Sequence, residues 1–314
     1  MKRTLFTDEH EMFRDQYRKF LKKEVQPNAA AWREAGIVPR EMFEKMGALG
    51  YLLTWADEIH GGLGLEDFRY QQIMLEEDAT YGEPGFYHTL HSRLVAPYIK
   101  NIGNAEQHAS FLPKCVTGEH ILAVAMTEPD AGSDLAGMKT RAVDKGDYWE
   151  LSGSKTYISN GINADLIVTA AKTNPENPRQ IGLFIVERGM EGFERGRNLK
   201  KLGLKAQDTA ELFFSNVKIP KHNVLGDAHK GFHYLMQGLA EERLLGSVGY
   251  LSAAQRAFEL TKNYVQERRA FGKSVSEFQN TRFKMAEMRA EIDVAQVYID
   301  HCVVCDMRLH KYML

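Results

Sequence analysis

The spacing of apolar positions divides the chain into three stretches. From residue 7 to 117 these positions recur at helical intervals. Thr7 is placed to cap a helix beginning DEHEMFRDQYRKFLKKEV, in which Met12, Phe13, Phe20 and Leu21 recur at helical spacing. Pro39-Arg40-Glu41 opens a second helical stretch, and Glu66 to Thr80 reads as another after the turn GGLGL. That turn follows no clear strand, so it is not read as a nucleotide fingerprint. From 118 to 227 the runs shorten to strand length. ILAVAM (121–126) is followed by TRAVDKGDYWELSG, two strands around Asp144-Lys145-Gly146-Asp147, then KTYISNG, ADLIVTAAKT, IGLFIVERG and TAELFFSNVKIP. From 228 onward helical spacing returns. Phe232, Leu235, Met236, Leu239, Val248, Leu251, Phe258 and Val265 mark one long helix from Gly231 to Arg269. Phe271-Gly272-Lys273 breaks it, and residues 281–314, without Gly or Pro, predict a second.

The expected architecture is α+β and multi-domain. An N-terminal helical domain (1–117) precedes an antiparallel β-barrel domain (118–227) and a C-terminal helical domain (228–314). Two long amphipathic helices do not cover each other fully. The last domain is therefore expected to be an incomplete bundle, shortened or completed by another chain.

Composition narrows the class. Of 314 residues, 44% are hydrophobic and 26% charged, as in ordinary globular proteins. Lys plus Arg (40) nearly balances Asp plus Glu (42), which argues against a dedicated nucleic-acid binder. Three cysteines do not make a disulfide framework. Cys302 and Cys305 form a C-x-x-C pair inside a helical pattern with no second pair, so no metal site is expected. No apolar run reaches the roughly 18 residues of a membrane span. The start MKRTLFTDEHEMFRDQYRKF lacks the apolar core of a secretory signal. The expected location is cytoplasmic, or the mitochondrial matrix if the chain is eukaryotic and processed.

Four stretches carry candidate chemistry. In AMTEPDAGSD (125–134) an apolar strand runs into a tight Asp130-Ala131-Gly132-Ser133 turn. Such a loop offers backbone N–H groups and two hydroxyls to a polar ring edge or a phosphate. An ordinary strand-end turn has the same composition. In KTYISNG, Tyr157 and Ser159 lie two apart and share a strand face, which suits a flat cofactor or simply a half-buried strand. In GFHYLMQGLAEERLLGSVG, Gly238, Gly246 and Gly249 sit four before, four after and seven after Glu242 on a helix, hence on its face. Each such glycine costs about 1 kcal/mol against alanine. Either something approaches the helix closely there, with Glu242 as a desolvated general base, or two helices pack tightly. Glu241 points about 100° away. In ERRAFGKSVSEFQ (267–279), Arg268 or Arg269 is suited to a pyrophosphate, or to a solvated helix end.

In this order the four stretches resemble the acyl-CoA dehydrogenase family over nearly the whole chain. IGNAEQHASFLPKCVTGEHILAVAMTEPDAGSD is similar to the family's helix-to-barrel junction. GLKAQDTAELFF with GFHYLMQGLAEERLL is closest to its long-chain branch. The resemblance implies FAD, an acyl-CoA substrate, a homotetramer or at least a dimer, and electron-transferring flavoprotein as electron acceptor. It implies that Val124, Met126, Thr127 and Ser133 line the flavin, with Ser133 also touching CoA. Tyr157, Ile158 and Ser159 would cover another part of the flavin. Arg268, Phe278 and Gln279 would meet the FAD of a neighbouring subunit. Ala240, Glu241, Arg243 and His233 would face the acyl-CoA. Most of the family carries its base near the C-terminus, but the long-chain and isovaleryl branches carry it where Glu242 stands, so Glu242 is the expected base and Glu241 the fallback. The family pattern continues past Leu314 with a Gly-rich FAD contact and a thioester-binding N–H. The implied reaction is oxidation of a saturated acyl-CoA to a trans-2-enoyl-CoA in fatty-acid β-oxidation. The competing expectations are a catalytically silent acyl-CoA-binding subunit and an oxygen-using relative, an acyl-CoA oxidase or nitroalkane oxidase. Phe86, Tyr87, His88 and His91 are expected near the far end of the acyl pocket.

Overall fold

A computed structural model describes residues 3–177 and 179–312, with side chains as far as Asp306. The helices are α1 (Asp8–Phe20), α2 (Ala29–Ala35), α3 (Glu41–Ala48), α4 (Phe68–Tyr81), α5 (Ala96–Ile102), α6 (Ala105–Thr117), α7 (Gly231–Glu267) and α8 (Gln279–Tyr312). The strands are β1 (Leu122–Ala125), β2 (Arg141–Asp144), β3 (Tyr148–Ser159), β4 (Leu166–Lys172), β5 (Ile181–Glu187), β6 (Phe193–Asn198), β7 (Thr209–Pro220), β8 (Val224–Leu225), β9 (Arg269–Ala270) and β10 (Lys273–Ser274). The chain divides into two compact units. One comprises Met1–Asn28, Asp67–Glu83 and Ala240–Leu314; the other comprises Ala29–Glu66 and Pro84–Leu239.

The first unit is helical. At the start of α1 the imidazole Nδ1 of His10 meets the Thr7 hydroxyl at 2.6 Å and amide at 3.3 Å. Acids fill its first turn and Arg18 and Lys19 its last, as the helix dipole favours. α1 is fastened to α4 by buried polar groups. Tyr17 donates to Asp78 at 2.7 Å, while Arg14 and Arg18 share the buried Glu77 at 3.1 and 2.8 Å. Gln72 of α4 and Arg3 both donate to Asp300 of α8. As their length predicts, α7 and α8 leave Tyr250, Tyr264, Phe283, Val294 and Tyr298 exposed.

The second unit holds the sheet, which differs from the antiparallel barrel expected. Its strand order is β6-β7-β3-β2-β4-β5-β8, with β1 added on β4. β1 and β2 both run parallel to β4, so the sheet is mixed. β6 and β8 end the path unpaired with each other among the described residues, so it is not closed. The reason lies in connection length. β2 and β3 are joined by a hairpin turn, but β1 is followed by fifteen residues, Met126–Thr140, too many for one. Strands β6 and β8, the first polar and the second two residues long, gave no periodic signal. Trp149, Leu151, Phe184, Leu212, Phe214 and Ile219 fill the core on one face.

β1 and β2 share one edge of β4, because β5 occupies the other. Ala125 pairs with Thr169 and Arg141 with Lys172. Three residues of β4 cover only about 10 Å. The segment 126–140 between β1 and β2 is therefore forced out of the sheet as a projecting loop.

Candidate active site

The projecting loop is built around a buried ion pair. Its tight turn closes at Pro129-Asp130, between Glu128 and Ala131, whose backbones exchange hydrogen bonds of 2.8 and 3.2 Å. This is two residues earlier than the Asp130–Ser133 turn expected. Glu128 is 5% exposed and points inward. It accepts from the amides of Lys139 (2.5 Å) and Thr140 (3.0 Å) and from Nζ of Lys155 at 2.9 Å. Lys155, 1% exposed, also donates to the Met126 carbonyl at 2.9 Å. Burial pulls the Lys155 ammonium down to about 8, with the Glu128 charge opposing it. Burial pushes Glu128 up, but the Lys155 charge and the hydrogen bonds from Lys139 and Thr140 outweigh it and hold the carboxyl below its ordinary value.

Across the loop, β3 is not an even strand. Lys155 and Thr156 are both buried, and the register with β7 slips between Lys155 and Ile158. The Thr156 amide donates to the Thr127 carbonyl at 2.9 Å. Tyr157 occupies this bulge with φ +58° and is 69% exposed, while Ile158 is buried and Ser159 half-buried. Val124, Met126 and Thr127 are half-buried and Ser133 is exposed. Beside Ser133, a Cβ added to Gly132 would meet nothing within 4 Å. Sequence reasoning missed Glu128 and Lys155, although both stand inside the motifs it singled out. The available signal was one acid and one base, each placed inside a motif already singled out.

Glu242 lies within α7 in the first unit, half-buried, between the half-buried Leu239 and the buried Leu245. Burial pushes its carboxyl up from the ordinary value, and Arg243 pulls the other way. The glycines on its face can be judged individually. A Cβ on Gly238 would sit 3.1 Å from the Tyr98 hydroxyl, a tight fit. At Gly246 it would meet only Tyr250 at 3.6 Å, and at Gly249 only Leu75 at 3.9 Å, both ordinary contacts. Helix packing within this chain thus accounts for Gly238 and leaves the other two open. Glu241 is half-buried, and His233, Ala240 and Arg243 are exposed.

The fourth motif forms a two-stranded hairpin, β9–β10, turned by Phe271 (φ +50°) and Gly272 (φ +80°), a conformation that asks for glycine at Gly272. Phe271 and Phe278 meet edge-on at 6.3 Å, and Arg268 and Gln279 are exposed. The group expected at the far end of an acyl pocket is largely buried. Phe86 is buried against Phe43 (5.1 Å) and Trp32 (6.2 Å), and His88 and His91 are buried too. Their bulk fills a helical core, and only Tyr87 reaches solvent. No described helix is long and apolar enough to cross a membrane.

Comparison with known proteins matches three successive family models: acyl-CoA dehydrogenase N-terminal domain at residues 7–119, middle domain at 123–217 and C-terminal domain at 229–306. The long-chain specific acyl-CoA dehydrogenase, mitochondrial, of Sus scrofa is 46% identical over 98% of this chain and 71% of that protein. An acyl-CoA dehydrogenase from Geobacillus kaustophilus superposes with a TM-score of 0.95 at 49% identity, over 98% of this chain and 81% of its own. A glutaryl-CoA dehydrogenase from Mycobacterium smegmatis, solved in complex with FADH2, superposes with a TM-score of 0.86 at 30% identity, over 96% and 76%. The chain belongs to the acyl-CoA dehydrogenase family, whose members are flavin-dependent oxidoreductases acting on CH–CH groups. The site residues fit such a cofactor. An outward aromatic ring at Tyr157, hydroxyls at Thr127 and Ser133 and open space over Gly132 suit the face and polar edge of a flavin ring.

Proposed function

We propose that this protein oxidises saturated, long-chain acyl-CoA thioesters to trans-2-enoyl-CoA in fatty-acid β-oxidation, with Glu242 as the base. The observation that carries this reading is the half-buried Glu242 on a helix face whose glycines, Gly246 and Gly249, are not explained by packing. A carboxyl raised by burial is better matched to abstracting a weakly acidic proton near neutral pH. Glu242 removes the proton α to the thioester, hydride leaves the β-carbon, and the double bond forms between the two carbons. When bound, FAD supplies the acceptor for that hydride. Val124, Met126, Thr127, Ser133, Tyr157, Ile158 and Ser159 would hold the flavin of the same chain. Arg268, Phe278 and Gln279 would hold that of a neighbouring subunit, with its pyrophosphate on the Arg268 fork. Ser133, His233, Ala240, Glu241 and Arg243 would flank the substrate.

The long-chain preference follows the 46% identity to the porcine enzyme. In this reading the working form is a homotetramer that passes its electrons to electron-transferring flavoprotein, in the cytoplasm or the mitochondrial matrix. The decisive experiment is anaerobic addition of palmitoyl-CoA to the FAD-loaded protein. Bleaching of the flavin band is expected for the wild type and its near-complete loss for Glu242→Gln, with binding of palmitoyl-CoA retained. Bleaching of Glu242→Gln at the wild-type rate would refute the assignment of the base. Peroxide production matching turnover in air would move the protein to the oxidases.

A further inference from the structure

We propose that the buried Glu128–Lys155 pair is a positioning device that sets the shape of the flavin-facing loop, an inference that rests on the functional reading above. The pair ties three separate backbone points together. Lys155 holds the loop's entry at the Met126 carbonyl (2.9 Å), and Glu128 holds its exit at the amides of Lys139 (2.5 Å) and Thr140 (3.0 Å). The ion pair itself, 2.9 Å long with both side chains sealed from solvent, joins these two clamps to β3. Among the described residues the Glu128 carboxylate accepts from two backbone amides and one ammonium, so its hydrogen bonds are spent on holding the loop.

The device acts at both ends of the candidate site. Thr127 and Ser133 lie between the clamped points, so their hydroxyls are carried by a segment of fixed span. On β3, turning Lys155 inward next to a buried Thr156 uses two consecutive inward positions and interrupts the two-residue alternation. The strand resumes only after a bulge, and Tyr157 stands in that bulge with its ring outward. Stability alone is a poor reason for such a pair. Replacing a buried ion pair by apolar groups of similar volume is commonly neutral or stabilising, whereas removing one partner leaves a buried charge. A pair that costs desolvation and yet clamps the loop at three points is explained by the geometry it enforces.

The test compares wild type, Glu128→Gln and the double variant Glu128→Gln/Lys155→Met. FAD affinity is measured by fluorescence titration of the purified proteins, melting temperature without FAD by calorimetry, and the visible spectrum with FAD bound. In Glu128→Gln the new amide N–H group faces only donors, so at least a tenfold weaker FAD affinity is expected. In the double variant no buried charge remains. Its melting temperature without FAD is expected to stay within a few degrees of wild type while FAD affinity falls tenfold or more and the flavin band shifts. Wild-type affinity and spectrum in Glu128→Gln would overturn the proposal even if the double variant fails to fold. A double variant that folds and binds FAD as wild type does would overturn it too. Failure of the wild type to take up FAD, or to bleach with palmitoyl-CoA, would instead defeat the functional reading itself.

Discussion

Lowering the pH from 7 to 4 should cost the second unit about 3 kcal/mol through one histidine. His91 is buried in a helical turn, facing the edge of Phe43 at 5.9 Å. Its Nδ1 accepts the Leu122 amide at 3.1 Å and its Nε2 lies 2.9 Å from the Cys115 carbonyl. An amide only donates and a carbonyl only accepts, so the ring must be neutral with its proton on Nε2. Burial, joined by the neighbouring His88, pushes its pKa from 6.5 down to about 4, against the Cys115 hydrogen bond. Because the folded pKa is depressed, the unfolded chain takes up a proton below pH 6.5 that the native state refuses until about pH 4. The stability supplied by neutral His91 is therefore complete above pH 6.5 and declines as pH falls towards 4. A gap of about 2.5 in pKa, at about 1.36 kcal/mol each, amounts to about 3 kcal/mol. Urea unfolding followed by tryptophan fluorescence isolates the effect, since Trp32, Trp55 and Trp149 all belong to the unit that contains His91. His91→Asn keeps an acceptor near Nδ1 but cannot protonate. It should be less stable than wild type by about 2–4 kcal/mol at pH 7, and by about 3 kcal/mol less than that at pH 4. A stability difference that stays constant from pH 7 to pH 4 would refute the reasoning.

Three further outcomes are expected. Gly246→Ala should raise stability by up to about 1 kcal/mol, because the added Cβ meets only ordinary contact, while raising KM for acyl-CoA; a thermal melt and steady-state kinetics check both. Gly47→Ala should do the reverse, losing about 1–3 kcal/mol in the same melt, because its Cβ would land among the Thr117 carbonyl atoms where α3 meets α6. Asp165→Asn should cost about 2 kcal/mol in urea unfolding. It removes the carboxylate that Arg40 (2.8 Å) and Arg188 (2.9 Å) share, beside an Arg195 that burial and Arg188 already push down to about 10.

Periodicity made the helices and most strands legible, since each must keep a continuous apolar face. It failed on the sheet because pairing partners are chosen by connection length and edge availability. β1 looks like half of a hairpin, and only its fifteen-residue exit loop forbids that. The candidate site was legible as motifs but not as mechanics. Residue type offered Thr127, Ser133 and Tyr157 as candidates, and the family resemblance gave them their roles. The inward turn of Lys155 that throws Tyr157 out was hidden, because a lysine in a strand defaults to the solvent face. Likewise, three glycines spaced about Glu242 were visible as a pattern. Which of them faces a neighbour, Gly238 against Tyr98, depended on contacts between residues 140 apart.

The helical unit is assembled from three stretches of chain, Met1–Asn28, Asp67–Glu83 and Ala240–Leu314. On the ribosome its first two pieces emerge early, with Gln72 and Arg3 waiting for an Asp300 that does not yet exist. The sheet-bearing unit, finished at Leu239, has all its own partners sooner. Domains complete themselves as their residues become available during synthesis. The nascent protein should therefore acquire its sheet before its helical unit, leaving the apolar side of α1 and α4 as the surface most in need of chaperone cover until residues 240–314 have been made.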